Sequence, residues 1–302
     1  MATQRWTEAE LLLVQTLTEQ GKDSAEIARR LQDRGIQRTQ KAIMRMKDRQ
    51  GWHAQVPDSP LRKSISKPLH VEGDVLILPD IHAPMHDAQW INRVCDLAYK
   101  WGIKQAIIAG DLADFNAFSV FGRDAGIDAD MELDSLSAVM DALCQSFEVY
   151  YFAGNHDVRP CRALKNAGLN VTWLMKMFTP SEHCHISDWF WCELASGGVK
   201  YHVEHPKNAS INAGIVPAKL ASKYLCSTIG THGHVWGMRR DVSGQYWAID
   251  SGVCADPDLL LYTTMHHSTR PVVYQGAVIV RDGVSILLGP DNMRFYERMK
   301  VA

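Results

Sequence analysis

The sequence predicts an α/β chain that carries a small all-α domain at its N-terminus, and three observations predict it. Residues 1–52 hold three short helical periods and no strand pattern. From Val71 onward, short apolar runs of strand type alternate with amphipathic helical segments. Every polar motif of this second part stands at the carboxyl end of such a run, where open α/β sheets bind their ligands. The expected division is a tri-helical domain over 1–52, a linker over 53–70 marked by Pro57, Pro60 and Pro68, and a body over 71–302.

Composition narrows the class. At 302 residues and 46% hydrophobic content, the chain has room for both parts and for a sizeable core. No apolar run reaches the roughly eighteen residues that a membrane-spanning helix needs. The first residues, Met1-Ala-Thr-Gln-Arg-Trp, lack the apolar centre of a secretory signal. Seven cysteines, scattered and without a C-x-x-C pair, argue for reduced thiols, so a cytoplasmic protein is expected with no membrane partner. The net charge of −2 hides an asymmetry. Residues 1–70 hold thirteen basic against eight acidic side chains, and the rest nineteen against twenty-six. A basic head on an acidic body suits an anionic partner held by the head.

In the head, Thr7-Glu8-Ala9-Glu10 reads as a capping box for a first helix, with Leu11, Val14 and Leu17 at helical spacing and Gly21 ending it. Ser24 is expected to cap a second helix, Ala25 to about Asp33, carrying Ile27, Ala28 and Leu31 on one face. Thr39 opens a third, which turns Ala42, Ile43 and Met46 inward and Lys41, Arg45, Lys47 and Arg49 mostly outward. Short helices joined by a tight turn, the last of them basic, form the helix-turn-helix pattern. The stretch from Trp6 to Trp52 resembles Myb/SANT-like and related tri-helical DNA-binding domains, through Trp6, Ile27-Ala28-Arg29-Arg30-Leu31 and Arg38-Thr39. The resemblance implies a nucleic acid, DNA first, as the partner of residues 1–52, with Lys41, Arg45, Lys47 and Arg49 contacting it. Tri-helical bundles also dock proteins.

In the body, Asp74–Pro79 reads as a strand delivering Asp80-Ile81-His82, followed by a helix from about Asp87 to Trp101. Gln105–Ala109 delivers Gly110-Asp111, and a helix spans about Met131 to Phe147. Val149–Ala153 delivers Gly154-Asn155-His156-Asp157. This order implies parallel strands with right-handed crossovers. Gly198–Glu204 then delivers His205-Pro206, and a helix runs from Pro217 to about Leu225. Cys226–Ile229 delivers Gly230-Thr231-His232-Gly233-His234, and Gln245–Ile249 follows. Asp282-Gly283 joins Val272–Val280 to Val284–Leu288 as a hairpin.

Phosphoester hydrolysis is slow because water is a poor nucleophile and the phosphate charge repels it. Two cations roughly 3.5–4 Å apart answer both problems, and holding them takes several imidazoles and carboxylates with one carboxylate bridging. The ordered set D-x-H, G-D, G-N-H-D, a strand-ending His and H-x-H resembles the calcineurin-like metallophosphoesterase family over about 155 residues, Asp80 to His234. The resemblance implies an αββα sandwich and a position-by-position assignment. Asp80 and His82 would hold the first metal, Asp111 would bridge, and Asn155 and His205 would hold the second. His156 would act on the leaving oxygen as acid or transition-state donor, with Asp157 orienting it.

The family closes its site with G-H-x-H, and two registers compete here. In the favoured one, His232 joins the second metal and His234 the first, with Thr231 in place of Gly. In the other, Gly233-His234-Val235-Trp236 is the motif and Trp236 replaces a ligand. Mixed nitrogen and oxygen donors without thiolate suit manganese, iron or zinc, and the resemblance leans to two Mn²⁺.

Other residues carry less weight. His202 could replace His205, but its register in an alternating strand lets it point into a core. Asp114 and Asn116 fit either a supporting role at the site or loop capping, and Arg159 fits either a phosphate contact or a surface ion pair. His266, His267 and Arg270 would reach only the rim. Trp189, Phe190 and Trp191 read as core, and His183 and His185 as a polar loop. The segments Asp80-Ile-His-Ala-Pro and Gly110–Ser119 also look like phage-borne members of the family, a branch near DNA-repair exonucleases. The expected activity is a tethered phosphodiesterase acting on nucleic acid. One rival is a phosphomonoesterase or cyclic-nucleotide phosphodiesterase whose head binds a protein. Another is a DNA-binding regulator with a degenerate site.

Overall fold

A computed structural model describes residues 5–52, 67–119, 126–164, 170–179, 181–260 and 273–299. The chain separates into two compact units, Met1–Ile65 and Ser66–Ala302. All seven cysteines are free. Among the described residues no helix is long and apolar enough to cross a membrane.

The first unit consists of α1 (Glu8–Glu19), α2 (Ser24–Gln32) and α3 (Gln40–Gln50). Thr7 and Glu10 form the reciprocal capping box at the start of α1. The cap of α2 is Asp23 and not Ser24: its Oδ1 accepts the Glu26 N–H at 2.7 Å, and Ser24 is buried in the first turn. A carboxylate at this position also faces the positive end of the helix. Thr39 caps α3, and Gly51 ends it in the left-handed conformation, φ 66°. Val14, Leu17, Ile27, Leu31 and Ile43 make the core, with Trp6 and Trp52 packed against it. Lys41, Arg45 and Arg49 are exposed and Lys47 is half-buried. None of the four forms an ion pair among the described residues.

In the second unit the elements follow as β1 (Leu69–Glu72), β2 (Val75–Leu78), α4 (Ala88–Lys100), β3 (Gln105–Ala109), α5 (Ala129–Ser146) and β4 (Glu148–Phe152). Next come α6 (Arg159–Ala163), α7 (Val171–Phe178), β5 (Cys184–Ser187), β6 (Trp191–Ser196), β7 (Val199–Glu204) and α8 (Ile215–Tyr224). The last are β8 (Ser227–Gly230), β9 (Trp236–Arg240), β10 (Trp247–Ser251), β11 (Ala277–Arg281), β12 (Val284–Leu288) and α9 (Pro290–Arg298).

The strands form two six-stranded mixed sheets, ordered β12-β11-β2-β3-β4-β5 and β1-β6-β7-β8-β10-β9. In the first, β2, β3 and β4 run parallel, as the strand–helix alternation predicts. Side-chain alternation splits each strand between two cores. Val75, Ile77, Ile107 and Phe152 face the other sheet and meet Val71, Leu194, Val203, Ile229 and Ile249 there. Leu76, Leu78, Ile108 and Tyr151 face outward against Val94 and Leu97 of α4, Met140 and Leu143 of α5, and Met293 of α9. Helix α8 covers β8 and β10 of the second sheet. The layers are therefore helix, sheet, sheet, helix.

Several boundaries differ from expectation. Strand pairing begins inside the segment 53–70 read as a linker, because Leu69 and His70 pair with Cys192 and Glu193. His185 lies on strand β5 beside Tyr150 and not on a loop. The strand expected over Val272–Val280 is Ala277–Arg281, and Val272 lies outside the described residues. The Asp282-Gly283 turn joins β11 and β12 with both residues at positive φ, 48° and 75°. Trp189, Phe190 and Trp191 are half-buried, and Phe190 packs against the outer core as expected.

Candidate metal centre

The carboxyl ends of β2, β3 and β4 in one sheet, and of β7 and β8 in the other, converge on one buried polar cluster. The loop after β2 is zipped to the loop after β3: the His82 N–H donates to Asp111 O and the Ala83 N–H to Leu112 O, both at 2.9 Å. Asp80, His82, Asp111, His232 and His234 adopt left-handed backbone, with φ of 44°, 51°, 47°, 71° and 54°. Such conformations cost energy for non-glycine residues and concentrate at functional sites.

Two glycines explain why their motifs need them. A Cβ on Gly154 would stand 2.2 Å from Asp111 Oδ1, and one on Gly110 would stand 2.5 Å from His205 Nδ1. Any side chain there would push a donor out of place.

Three donor groups result: Asp80–His82–His234, His82–Asp111–His156 and Asp111–His205–His232, the atoms within each lying within 4.8 Å of one another. Asp111 belongs to two of them. His205 Nε2 lies 2.8 Å from Asn155 Oδ1 and 3.3 Å from Asp111 Oδ2, and His82 Nε2 lies 3.2 Å from His234 Nε2. The structure thus brings together all seven residues expected as metal donors. His234 stands with Asp80 and His82, and His232 with Asp111 and His205, which is the arrangement of the favoured register. Trp236, the alternative, opens β9, donates to Leu288 O at 2.8 Å and stacks on Tyr274.

Whether these residues fit divalent cations is tested by their unsatisfied atoms. Asp80 Oδ1 and Asp111 Oδ2 are buried without a hydrogen-bond partner, an arrangement that is costly for a carboxylate. Burial, and then Asp111, push the Asp80 carboxyl well above its usual range. Burial pushes Asp111 up to about 6, against the pull of His82. Burial, and then His232, His156 and His82, hold the His205 imidazole well below its usual range, so it is neutral. A neutral His205 beside orphaned, mutually repelling carboxylates is a donor set that cations satisfy.

Two residues have roles that the motif pattern does not predict. Asp114 accepts from Nδ1 of His82 through Oδ1 at 3.0 Å, and the same oxygen lies 2.8 Å from His156 Nδ1. Burial alone would raise the Asp114 carboxyl, but hydrogen bonds from His156 and His82 hold it well below the usual range. Arg159 donates to Asp114 O at 2.7 Å and lies 3.1 Å from His156 Nε2. The sequence leaves each of them open between a role at the site and a bland one, and the structure sets both against His156.

Asp157, expected to orient His156, does something else. Its carboxylate turns back to accept the N–H groups of Gly154 at 2.7 Å and Ala113 at 3.3 Å, tying two loops together. Burial, and then Asp111, push it up to about 6. The loop after Asp114 is pinned by the Asn116 N–H, which donates to Glu132 Oε1. His202 is buried under Tyr224 and pairs with Glu204 at 2.6 Å, away from the donors. His183 and His185 flank Glu148 on the surface. His266, His267 and Arg270 lie outside the described residues.

No protein-family model matches the chain. No curated protein matches it either. Among solved structures, Yfce, a phosphoesterase from E. coli, aligns at a TM-score of 0.39 and 12% identity over 73% of this chain and 94% of that one. Vacuolar protein sorting 29 from Cryptosporidium parvum aligns at 0.35 and 12% identity over 72% and 95%. Likenesses below a TM-score of 0.5 carry no weight for function, which rests on the side chains of the site.

Proposed function

We propose that the chain is a two-metal-dependent phosphodiester hydrolase of metallophosphoesterase type that acts on nucleic acid, DNA first, and is tethered to it by the tri-helical unit. The observation that carries the reading is a chain of three His/carboxylate donor groups linked through His82 and Asp111, with two buried carboxylate oxygens left unsatisfied. Asp80, His82 and His234 would hold one cation, Asn155, His205 and His232 the other, and Asp111 both. Mn²⁺ suits these donors, as do iron and zinc. Bound cations would supply Lewis-acid polarisation of a phosphoryl oxygen and a more acidic water. The chain's own contribution would be His156, steadied at Nδ1 by Asp114 with Arg159 beside it, acting on the leaving oxygen.

Two features support a polymeric anion. Lys41, Arg45 and Arg49 stand exposed on one helix with no ion partner among the described residues, as a nucleic-acid-contacting helix requires. A cleft of about 680 Å³ is lined by Pro206, the residue after His205, and by Lys207 and Lys219. Neither lysine is ion-paired among the described residues, so the cleft holds two unpaired positive charges beside the single carboxylate of Glu204.

The test is Mn²⁺-dependent cleavage of labelled single- and double-stranded DNA by the full-length protein. The comparison variants are His156→Ala, the triple change Lys41→Glu/Arg45→Glu/Arg49→Glu, and Lys207→Glu/Lys219→Glu. His156→Ala is expected to lower the rate by about 10²–10⁴. The charge reversals are expected to weaken DNA binding and its salt dependence while leaving turnover of a small chromogenic diester intact. Turnover of small diesters with no cleavage of DNA would favour a small-nucleotide phosphoesterase instead. DNA binding without turnover of any diester would favour a regulator.

A further inference from the structure

Thr231 occupies the position where the family pattern has glycine, and its hydroxyl stands between two partners. Oγ1 lies 2.9 Å from the Ala109 carbonyl oxygen and 2.9 Å from His205 Nδ1. A carbonyl can only accept, so the single hydroxyl proton goes to Ala109. Toward His205, Oγ1 then offers only lone pairs, and Nδ1, which also lies 3.5 Å from Asp80 Oδ1 in a ring that meets the Ala109 carbonyl, must be the nitrogen that carries the proton. Nε2 is left bare, facing Asn155 Oδ1 at 2.8 Å and Asp111 Oδ2 at 3.3 Å. Three lone-pair atoms converging in a buried site repel one another unless a cation lies among them.

The competing tautomer would protonate Nε2, donate to Asn155 and close the position to a metal. It would also turn the Thr231 hydroxyl toward His205 and strip Ala109 of its donor. Water cannot easily take over either role, because Thr231 is 2% and His205 1% exposed.

We propose that Thr231 is a positioning residue that selects the Nδ1–H tautomer of His205 and so keeps Nε2 open for a divalent cation. The proposal rests on the reading of Asp111, Asn155, His205 and His232 as a metal group. The hydroxyl does for this histidine what a carboxylate or backbone carbonyl does for most metal-binding histidines: it fixes which nitrogen is free. Thr231 also ties the end of β8 to the end of β3, so the tautomer is set by a contact between the two sheets.

The experiment compares wild type, Thr231→Val and Thr231→Ser as full-length proteins by two measurements. Histidine ¹⁵N NMR on metal-free protein reads the tautomer directly, and calorimetric titration with Mn²⁺ reads affinity and stoichiometry. The wild type and Thr231→Ser are expected to hold His205 protonated at Nδ1. Thr231→Val, nearly the same shape but without the hydroxyl, is expected to shift it toward Nε2–H. It should also bind one of its two Mn²⁺ ions about 10–100-fold more weakly, the usual cost of losing such an outer partner. Wild-type affinity at both sites in Thr231→Val would overturn the assignment alone, as would an Nε2-protonated His205 in the wild type. A Thr231→Ser variant as weak as Thr231→Val would also overturn it. Absence of any metal uptake by the wild type would overturn the metal reading itself, and the tautomer's purpose with it.

Discussion

Asp250 is buried where β10 meets the start of α8, and its Oδ2 accepts the Gly214 N–H at 2.5 Å. Burial pushes its carboxyl from the ordinary 3.8 up to about 7. Because the folded value lies above the unfolded one, the stability tied to this group is present at low pH and is lost as pH rises through about 7. Asp250→Asn keeps an acceptor for Gly214 and cannot ionise. Its melting temperature should therefore gain on the wild type by a few degrees between pH 5 and pH 8, a shift of about 2–4 °C per kcal/mol in a unit of this size. An equal difference at both pH values in thermal unfolding would contradict this. At the residue scale, the seven donors were legible because their types recur in order at strand ends. The contacts of Asp114, Thr231 and Asp157 were not, although all three stand in or beside the motifs. Asp114 reaches His156 across 42 positions, and Thr231 reaches Ala109 across 122. Asp157 adjoins His156 in sequence, yet its side chain turns back to the Gly154 N–H. Sequence proximity says little about which way a turn aims a carboxylate.

Among the elements, the long periodic ones were the most legible. Helices α1, α3, α4 and α5 fall within two or three residues of expectation, because caps and apolar spacing act locally. Strands β1, β5, β6 and β9, with α6, α7 and α9, were not predicted. The four strands are four to six residues long; β1 and β5 pair with partners far along the chain, whereas β6 and β9 form hairpins with β7 and β10. Besides its shared core, the first unit is closed by one long-range ion pair. Arg38, just before α3, pairs with Glu10 of α1 at 2.8 Å, both side chains 8% exposed, and lies over the Trp6 ring at 4.4 Å. Arg38→Leu would leave the Glu10 carboxylate buried without its partner, at a cost of about 3 kcal/mol. A unit this small has little stability in reserve. The amide NMR signals of residues 5–52 are expected to collapse toward random-coil positions, while turnover of a small diester by the second unit persists. A first unit that stays folded would show the ion pair to be dispensable.

The whole molecule should unfold in two steps, because its two units have separate cores. Only the second holds the donor groups, so Mn²⁺ at about 100 times its dissociation constant should stabilise that step by about 2.7 kcal/mol and leave the other unmoved. Differential scanning calorimetry reads both, and a shift of both steps together would contradict the assignment. The donor groups have a mechanical side as well. Asp80, Asp111 and Asn155 follow strands of one sheet, whereas His205, His232 and His234 follow strands of the other. An ion gripped by both sets is a rivet through the seam of the sandwich. Copies that have not yet acquired their ions would open first along that seam, exposing the same loops that carry the chemistry.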